Sequence, residues 1–275
     1  MFQSLISVAE AKQCSAEAIF VDCRHQLSDT TWGERQYHLG HIAQARFAHL
    51  DRDLSSPVIQ GQTGRHPLPT PAQLNLFFSQ LGIRPQTQVI AYDQDLGMFA
   101  ARFWWLLRAM GHTRVAVLDG GYRAWLAEGG AVEAHTPCVT PSEFLGKWQG
   151  RCLSSAEVQT RLYQPHVALL DARQAERFSG QEEPIDAKAG HIPSALNMPF
   201  TANCQDGFWR SAAELHARFS AVLQPEVICY CGSGVTACHT ILAMVHAQLN
   251  EPYLYAGSWS EWITDERRPI ARETG

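Results

Sequence analysis

One plan is written twice along this chain of 275 residues, and that constrains the fold more than any local propensity. Ala18-Ile19-Phe20-Val21-Asp22-Cys23-Arg24 is echoed by Ala168-Leu169-Leu170-Asp171-Ala172-Arg173, and Leu39-Gly40-His41-Ile42 by Ala189-Gly190-His191-Ile192. Val89-Ile90-Ala91-Tyr92-Asp93 matches Val227-Ile228-Cys229-Tyr230-Cys231. Leu118-Asp119-Gly120-Gly121 with Trp125 matches Tyr255-Ala256-Gly257-Ser258 with Trp262. The order is the same in both halves, at an offset near 138–150 residues. Two tandem domains are therefore expected, over residues 1–135 and 150–275. Pro137, Pro141 and polar neighbours break the periodicity between them, so residues 136–149 are expected to link the two.

Within each half, short apolar runs alternate with helical patterns, which predicts an α/β fold with a mostly parallel sheet flanked by helices. Thr70 followed by Pro71 opens one predicted helix, and Ser211 with Glu214 carries a capping-box spacing for another. Ala100-Ala101-Arg102-Phe103-Trp104-Trp105-Leu106-Leu107 is apolar enough to be a buried helix. A further helix is expected from about Thr236 to Leu249.

The chemistry concentrates just before that last helix. The buried run Val227–Tyr230 ends at Cys231, and Gly232-Ser233-Gly234-Val235-Thr236-Ala237 follows. A glycine-rich turn feeding a helix leaves backbone N–H groups unpaired beside the positive end of the helix dipole. A thiol there ionises more readily than a free one, whose pKa is about 8.5. The amides of Gly232, Gly234, Val235, Thr236 and Ala237 can also hold the charge of a sulfur anion. The pattern points to a cysteine nucleophile, and open parallel sheets collect ligands at this end of their strands.

Composition removes several other classes. Net charge is −5 and no Lys/Arg run exceeds two residues, so nothing favours nucleic acid or an anionic membrane. No stretch approaches the roughly 18–20 apolar residues of a membrane span, and the first residues make a poor secretion signal, so a cytoplasmic protein is expected. The eight cysteines form no regular framework. Cys229, Cys231, Cys238 and His239 lack a second ligand pair at zinc spacing, so no metal is expected. A cysteine phosphatase needs Cys-x5-Arg, but the corresponding position holds Ala237.

Taken together, these motifs resemble the tandem-domain rhodanese family, the thiosulfate and 3-mercaptopyruvate sulfurtransferases. The resemblance runs from Phe20 to Trp262 and includes the Gly-His-Ile elements, both Asp-x-Arg strand ends and Gly257-Ser258-Trp259 with Trp262. Cys231-Gly232-Ser233-Gly234-Val235-Thr236-Ala237 is similar to the active loop of the mercaptopyruvate branch, whereas Gly64-Arg65-His66-Pro67-Leu68-Pro69 resembles a segment of bacterial thiosulfate enzymes. The family implies a catalytic second domain and an inactive first one. Asp93 agrees, since a carboxylate at the cysteine position cannot carry sulfur.

By the same resemblance Arg177 binds the anionic donor, and Ser233, His66 and Asp51 match a suggested proton relay. The mercaptopyruvate branch usually has a second arginine before the Gly-His-Ile element. Here that stretch offers only Lys188, which supplies charge without a bidentate fork. Arg173 is expected to order the loop after its strand, His41 and His191 to be structural, and Trp32, Trp259 and Trp262 to pack the interior or the domain interface. The implied activity moves sulfane sulfur from a small-molecule donor, 3-mercaptopyruvate ahead of thiosulfate, through a Cys231 persulfide. The acceptor is a thiol such as thioredoxin, or cyanide, and no cofactor is needed beyond the covalent persulfide. A non-catalytic sulfur carrier with the same loop stays open as the alternative.

Overall fold

The structure, a computed structural model, describes residues 1–273. The chain packs as two units: residues 1–56, 68–150 and 206–209 form the first, and residues 57–67, 151–205 and those from 210 on form the second.

The first unit carries strands β1 (Leu5–Ile6), β2 (Ile19–Asp22), β3 (His41–Ile42), β4 (Arg46–Phe47), β5 (Val89–Tyr92), β6 (Val115–Leu118) and β7 (Val132–Glu133). Five of them form a parallel sheet in the order β1-β6-β5-β2-β4, while β3 and β7 pair antiparallel. Helices α1 (Val8–Gln13), α2 (Trp32–Leu39), α3 (Pro71–Gln80), α4 (Met98–Ala109) and α5 (Gly121–Ala127) complete it. Thr70 and Gln73 cap α3 reciprocally, with Pro71 in its first turn. Helix α4 buries all but two of its residues, as its apolar composition predicts. The central strands β2, β5 and β6 are buried throughout, which explains why they are apolar but for Asp22 and the Tyr92 hydroxyl.

The second unit repeats the plan with β8 (Val167–Asp171), β9 (Ala195–Asn197), β12 (Glu226–Tyr230) and β13 (Tyr253–Leu254), parallel and in the order β13-β12-β8-β9. Its helices are α6 (Ser155–Arg161), α7 (Ala175–Ser179), α8 (Ala212–Ser220), α9 (Thr236–His246) and α10 (Ser258–Trp262). Ser211 and Glu214 form the expected capping box on α8. Helix α9 stops at His246, three residues short of the expected Leu249. Two short strands fall at a unit boundary, β10 (Cys204–Gln205) in the second unit and β11 (Phe208–Trp209) in the first. Trp259 and Trp262 are fully buried in the second core.

The division differs from the expected one in three places, the first being residues 206–209, which belong to the first unit although they lie within the expected second domain. Residues 136–149, read as a linker, form no helix or strand but are tied to the first unit. There the Ser142 N–H donates to the Ser79 carbonyl, Phe144 packs edge-on to Phe78, and the Gln149 N–H donates to the Ala109 carbonyl. Residues 57–67 belong to the second unit although they lie within the expected first domain. Loop residues without periodicity carry no sequence signal of where they dock.

The repeat extends to individual hydrogen bonds. Arg24 clamps Asp22 and donates to the Gly40 carbonyl at 2.7 Å; Arg173 clamps Asp171 and donates to the Gly190 carbonyl at 2.8 Å. His41 stacks on Tyr37 with Nδ1 at 2.7 Å from the Tyr37 carbonyl, and His191 stacks on Phe178 with Nδ1 at 2.8 Å from the Phe178 carbonyl. Both histidines are structural, as expected. The Ile42 and Ile192 amides donate to the hydroxyls of Tyr92 and Tyr230.

The two halves part company after the third of the repeated strands. In the first unit Asp93 follows β5, and its carboxylate accepts from the amides of Gly97 at 2.8 Å, Phe99 at 2.8 Å and Ala100 at 3.3 Å. The amide cradle that could receive an anion is filled by the chain's own side chain. Burial pushes the Asp93 carboxyl up to about 6, against these amides, which pull it down. A carboxyl raised from its ordinary value of 3.8 stabilises the fold fully below that value and loses the contribution as pH rises through about 6. Relative to Asp93→Asn, the wild type should therefore lose up to about 3 kcal/mol between pH 4 and pH 7, read from urea melts. A difference that stays flat with pH would contradict this.

Candidate active site

In the second unit Cys231 takes the position of Asp93, one residue past β12. The strand holds it by register: Tyr230 pairs with Asp171, and the Cys231 carbonyl accepts from the Trp259 N–H at 2.9 Å. The Cys231 N–H donates to Ser258 Oγ at 3.1 Å, and Ser258 sits at φ 55 in the left-handed region to make that contact. The Gly234 N–H donates to Cys231 Sγ at 3.1 Å, where it stabilises negative charge on sulfur. Gly234 has φ +79, and a Cβ there would run into the Ala256 carbonyl, so the loop needs glycine at this point. Val235 is the N-cap residue of α9, and the amides of Thr236 and Ala237 open the helix without an intrahelical acceptor. Burial pushes the neighbouring thiol of Cys229 far above its ordinary value, which disfavours its thiolate.

Cys231 is 2 % exposed. The surroundings of its loop are cationic. A Cβ built on Gly232 would lie 2.9 Å from Arg65 Nη2 and 3.3 Å from Arg177 Nη1, so both guanidinium groups face the first residue of the loop. Arg177 comes from α7, and Arg65 from residues 57–67. Arg177 pairs with Glu183 at 2.7 Å, and Asp186 adds a second partner at 2.9 Å. Asp186 turns its other oxygen to Arg65 Nη1. Arg65, His66, Ile185, Asp186 and Ser260 line a cleft of about 500 Å³.

The remaining expected residues divide as follows. His66 Nδ1 lies 2.8 Å from Ser233 Oγ, so two members of the expected relay meet within the second unit. Asp51 lies in the first unit, where its carboxylate is 4.0 Å from His25 Nε2 and its N–H donates to His49 Nδ1. His25, His49 and Asp51 bring donor atoms within 4.8 Å of one another. His49 is already engaged at both ring nitrogens, by the Asp51 and Arg52 amides and the Thr30 carbonyl. Trp32 is half-buried and lines a cleft of the first unit with Asp93.

Lys188, expected to supply charge where the mercaptopyruvate branch usually has a second arginine, accepts through its carbonyl from Trp259 Nε1 at 2.8 Å. The second cation beside Gly232 is Arg65, which sequence reasoning passed over. The available signal was the Gly64-Arg65-His66 segment, noted for its resemblance and its histidine but not for its arginine.

With this geometry established, comparison with known proteins is direct. The model of the Rhodanese-like domain matches residues 7–128 and 154–265. A Pseudomonas aeruginosa protein named "Probable 3-mercaptopyruvate sulfurtransferase" is 48% identical over 268 residues, covering 95% of this chain and 94% of that protein. The thiosulfate sulfurtransferase of Mus musculus is 36% identical over 246 residues, covering 85% of this chain and 81% of its own. Among solved structures, 3-mercaptopyruvate sulfurtransferase from Leishmania major superposes with a TM-score of 0.84 at 33% identity, covering 98% of this chain and 76% of that one. The chain belongs to the rhodanese family, as a two-domain sulfurtransferase. No helix among its described residues is long and apolar enough to cross a membrane.

Proposed function

We propose that the protein takes sulfur from 3-mercaptopyruvate and passes it, through a persulfide on Cys231, to a thiol such as thioredoxin or to cyanide. The Cys231 thiolate attacks the donor sulfur, a new S–S bond forms, and the donor C–S bond breaks. The departing carbon carries the electron pair as the enolate of pyruvate and takes a proton to become pyruvate. The Ser233–His66 pair, 2.8 Å apart, is suited to deliver that proton. An acceptor thiolate then attacks the outer sulfur and restores Cys231. Cyanide would leave as thiocyanate. No cofactor enters either half-reaction.

The observation that carries the reading is a thiol braced by the Gly234 amide beside a loop whose first residue faces guanidinium nitrogens. Arginine suits a carboxylate because its N–H groups are paired and its charge is permanent. The relatives named for mercaptopyruvate support this donor, and the mouse relative named for thiosulfate makes that ion the competitor. A reducing compartment such as the cytoplasm suits the same reading, because a persulfide relay needs thiols.

Steady-state turnover of both donors with cyanide as acceptor tests the proposal. We expect kcat/KM for 3-mercaptopyruvate to exceed that for thiosulfate by about tenfold or more, the scale of one well-formed charged contact. A clear excess for thiosulfate would reverse the donor assignment. Capture of sulfur on Cys231 without discharge to any small thiol would favour the carrier.

A further inference from the structure

We propose that an apolar rim beside the nucleophile loop, built by Val58, Ile59 and Ile185, docks a protein thiol as the sulfur acceptor. The inference rests on the reading of Cys231 as a persulfide carrier and names the surface through which it is discharged.

Three large aliphatic side chains stand in solvent here: Val58 is 57%, Ile59 53% and Ile185 48% exposed. Val58 and Ile185 line the same cleft as Arg65 and His66. That cleft adjoins the nucleophile loop, because His66 Nδ1 lies 2.8 Å from Ser233 Oγ. The Arg65 N–H also donates to Ser260 Oγ at 3.1 Å, and the Ser260 N–H donates in turn to the Gly232 carbonyl at 2.9 Å. Ile185 immediately precedes Asp186, which pairs with Arg65 and Arg177. Exposed apolar residues scattered singly are ordinary, whereas a group of them at the edge of a functional cleft marks a contact surface.

Hydrogen bonds fix both stretches while they expose these side chains. The Gln62 and Thr63 amides donate to the Ile59 carbonyl at 3.0 Å, and the Ile59 N–H donates to Thr63 Oγ1 at 3.0 Å. Residues 59–63 thus close into a tight turn, with Gly61 at φ +75. On the other side the Ile185 and Asp186 amides donate to Glu183 Oε1 at 3.1 and 3.0 Å. A surface whose backbone is already ordered loses little conformational freedom on association. The nucleophile decides the occupant. Cys231 is 2 % exposed, so an acceptor sulfur has to arrive on a narrow edge while the surface around it meets the rim. Cyanide and small thiols have no such surface. A protein that presents its cysteine on a protruding edge with apolar flanks covers the three side chains as its thiolate approaches. That thiolate attacks the outer sulfur of the persulfide and forms a new S–S bond. The old S–S bond breaks and Cys231 leaves as its thiolate, so the step needs no other oxidant or reductant.

Thioredoxin serves as the protein probe, with cyanide and dithiothreitol as small acceptors. The full-length protein is loaded with excess donor and desalted, and loss of the added sulfur is followed by intact mass. Ile59→Ser combined with Ile185→Ser should slow discharge to thioredoxin about tenfold or more, the scale of aliphatic side chains removed from a contact. Cyanide and dithiothreitol should discharge the same variant at the wild-type rate. Ile59→Leu with Ile185→Leu should keep most of the thioredoxin rate. Equal slowing of all three acceptors would show that the two residues only support the loop. A thioredoxin rate that is absent in the wild type or unchanged in the serine variant would show that the rim is not used. A shift in sedimentation without a change in discharge would give the rim to a second copy of this chain. Each of these overturns the proposal. Failure to load any sulfur would instead overturn the reading of Cys231, and this proposal with it.

Discussion

Cys231→Ser is expected to abolish sulfur transfer, with kcat lower by about 10⁴-fold or more, and to leave no sulfur adduct after exposure to donor. The hydroxyl fits the same place, so the Gly234 N–H keeps an acceptor and the fold should hold. What is lost is the S–S bond that the whole route passes through, and no other residue can supply it. The thiols buried nearby are poor substitutes: Cys229 and Cys23 are held up by burial, and Cys238 Sγ donates to the Gly234 carbonyl. Intact mass after treatment with 3-mercaptopyruvate should show one added sulfur on the wild type and none on the variant. An equal adduct on Cys231→Ser would remove the basis of the proposed reaction.

Arg173→Met should produce the largest loss of stability. Arg173 and Asp171 are almost wholly buried, at 1% and 0% side-chain exposure, and contact each other at 2.6 Å. The guanidinium also donates to the Gly190 carbonyl and lies 4.8 Å from the Trp259 ring. Its removal leaves the Asp171 carboxylate buried beside an apolar side chain, at a cost of about 3–5 kcal/mol. That corresponds to a melting midpoint lower by roughly 10 °C. Arg24→Met should cost the first unit a similar amount, because Arg24 and Asp22 repeat the arrangement at 2.7 Å. Calorimetry of both variants checks this, and a loss under about 1 kcal/mol in either would mean that water or a neighbour relieves the carboxylate.

Much of the fold was legible because its signals are local. The capping boxes at Thr70 and Ser211, the buried strand runs, the Asp-x-Arg strand ends and the Gly-His-Ile elements each depend on residues close in the chain. Cys231 was legible for the same reason, since strand, glycine turn and helix start follow one another directly. Arg177 was found only through the family pattern, and its acidic partner Asp186 was not found at all. Residues 57–67 were misplaced because a segment without periodicity says nothing of where it packs, and Arg65 was overlooked with them.

By itself the amino-acid order determined two α/β repeats, with a thiol after the third repeated strand of one and a carboxylate in its place in the other. Those features are settled by backbone periodicity, strand ends and a glycine that must reach positive φ, all short-range matters. Which cations face the thiol was decided only by the tertiary structure. A guanidinium reaches its place through contacts such as that of Arg65 with Ser260, 195 residues apart, and no local pattern encodes a hydrogen bond of that span.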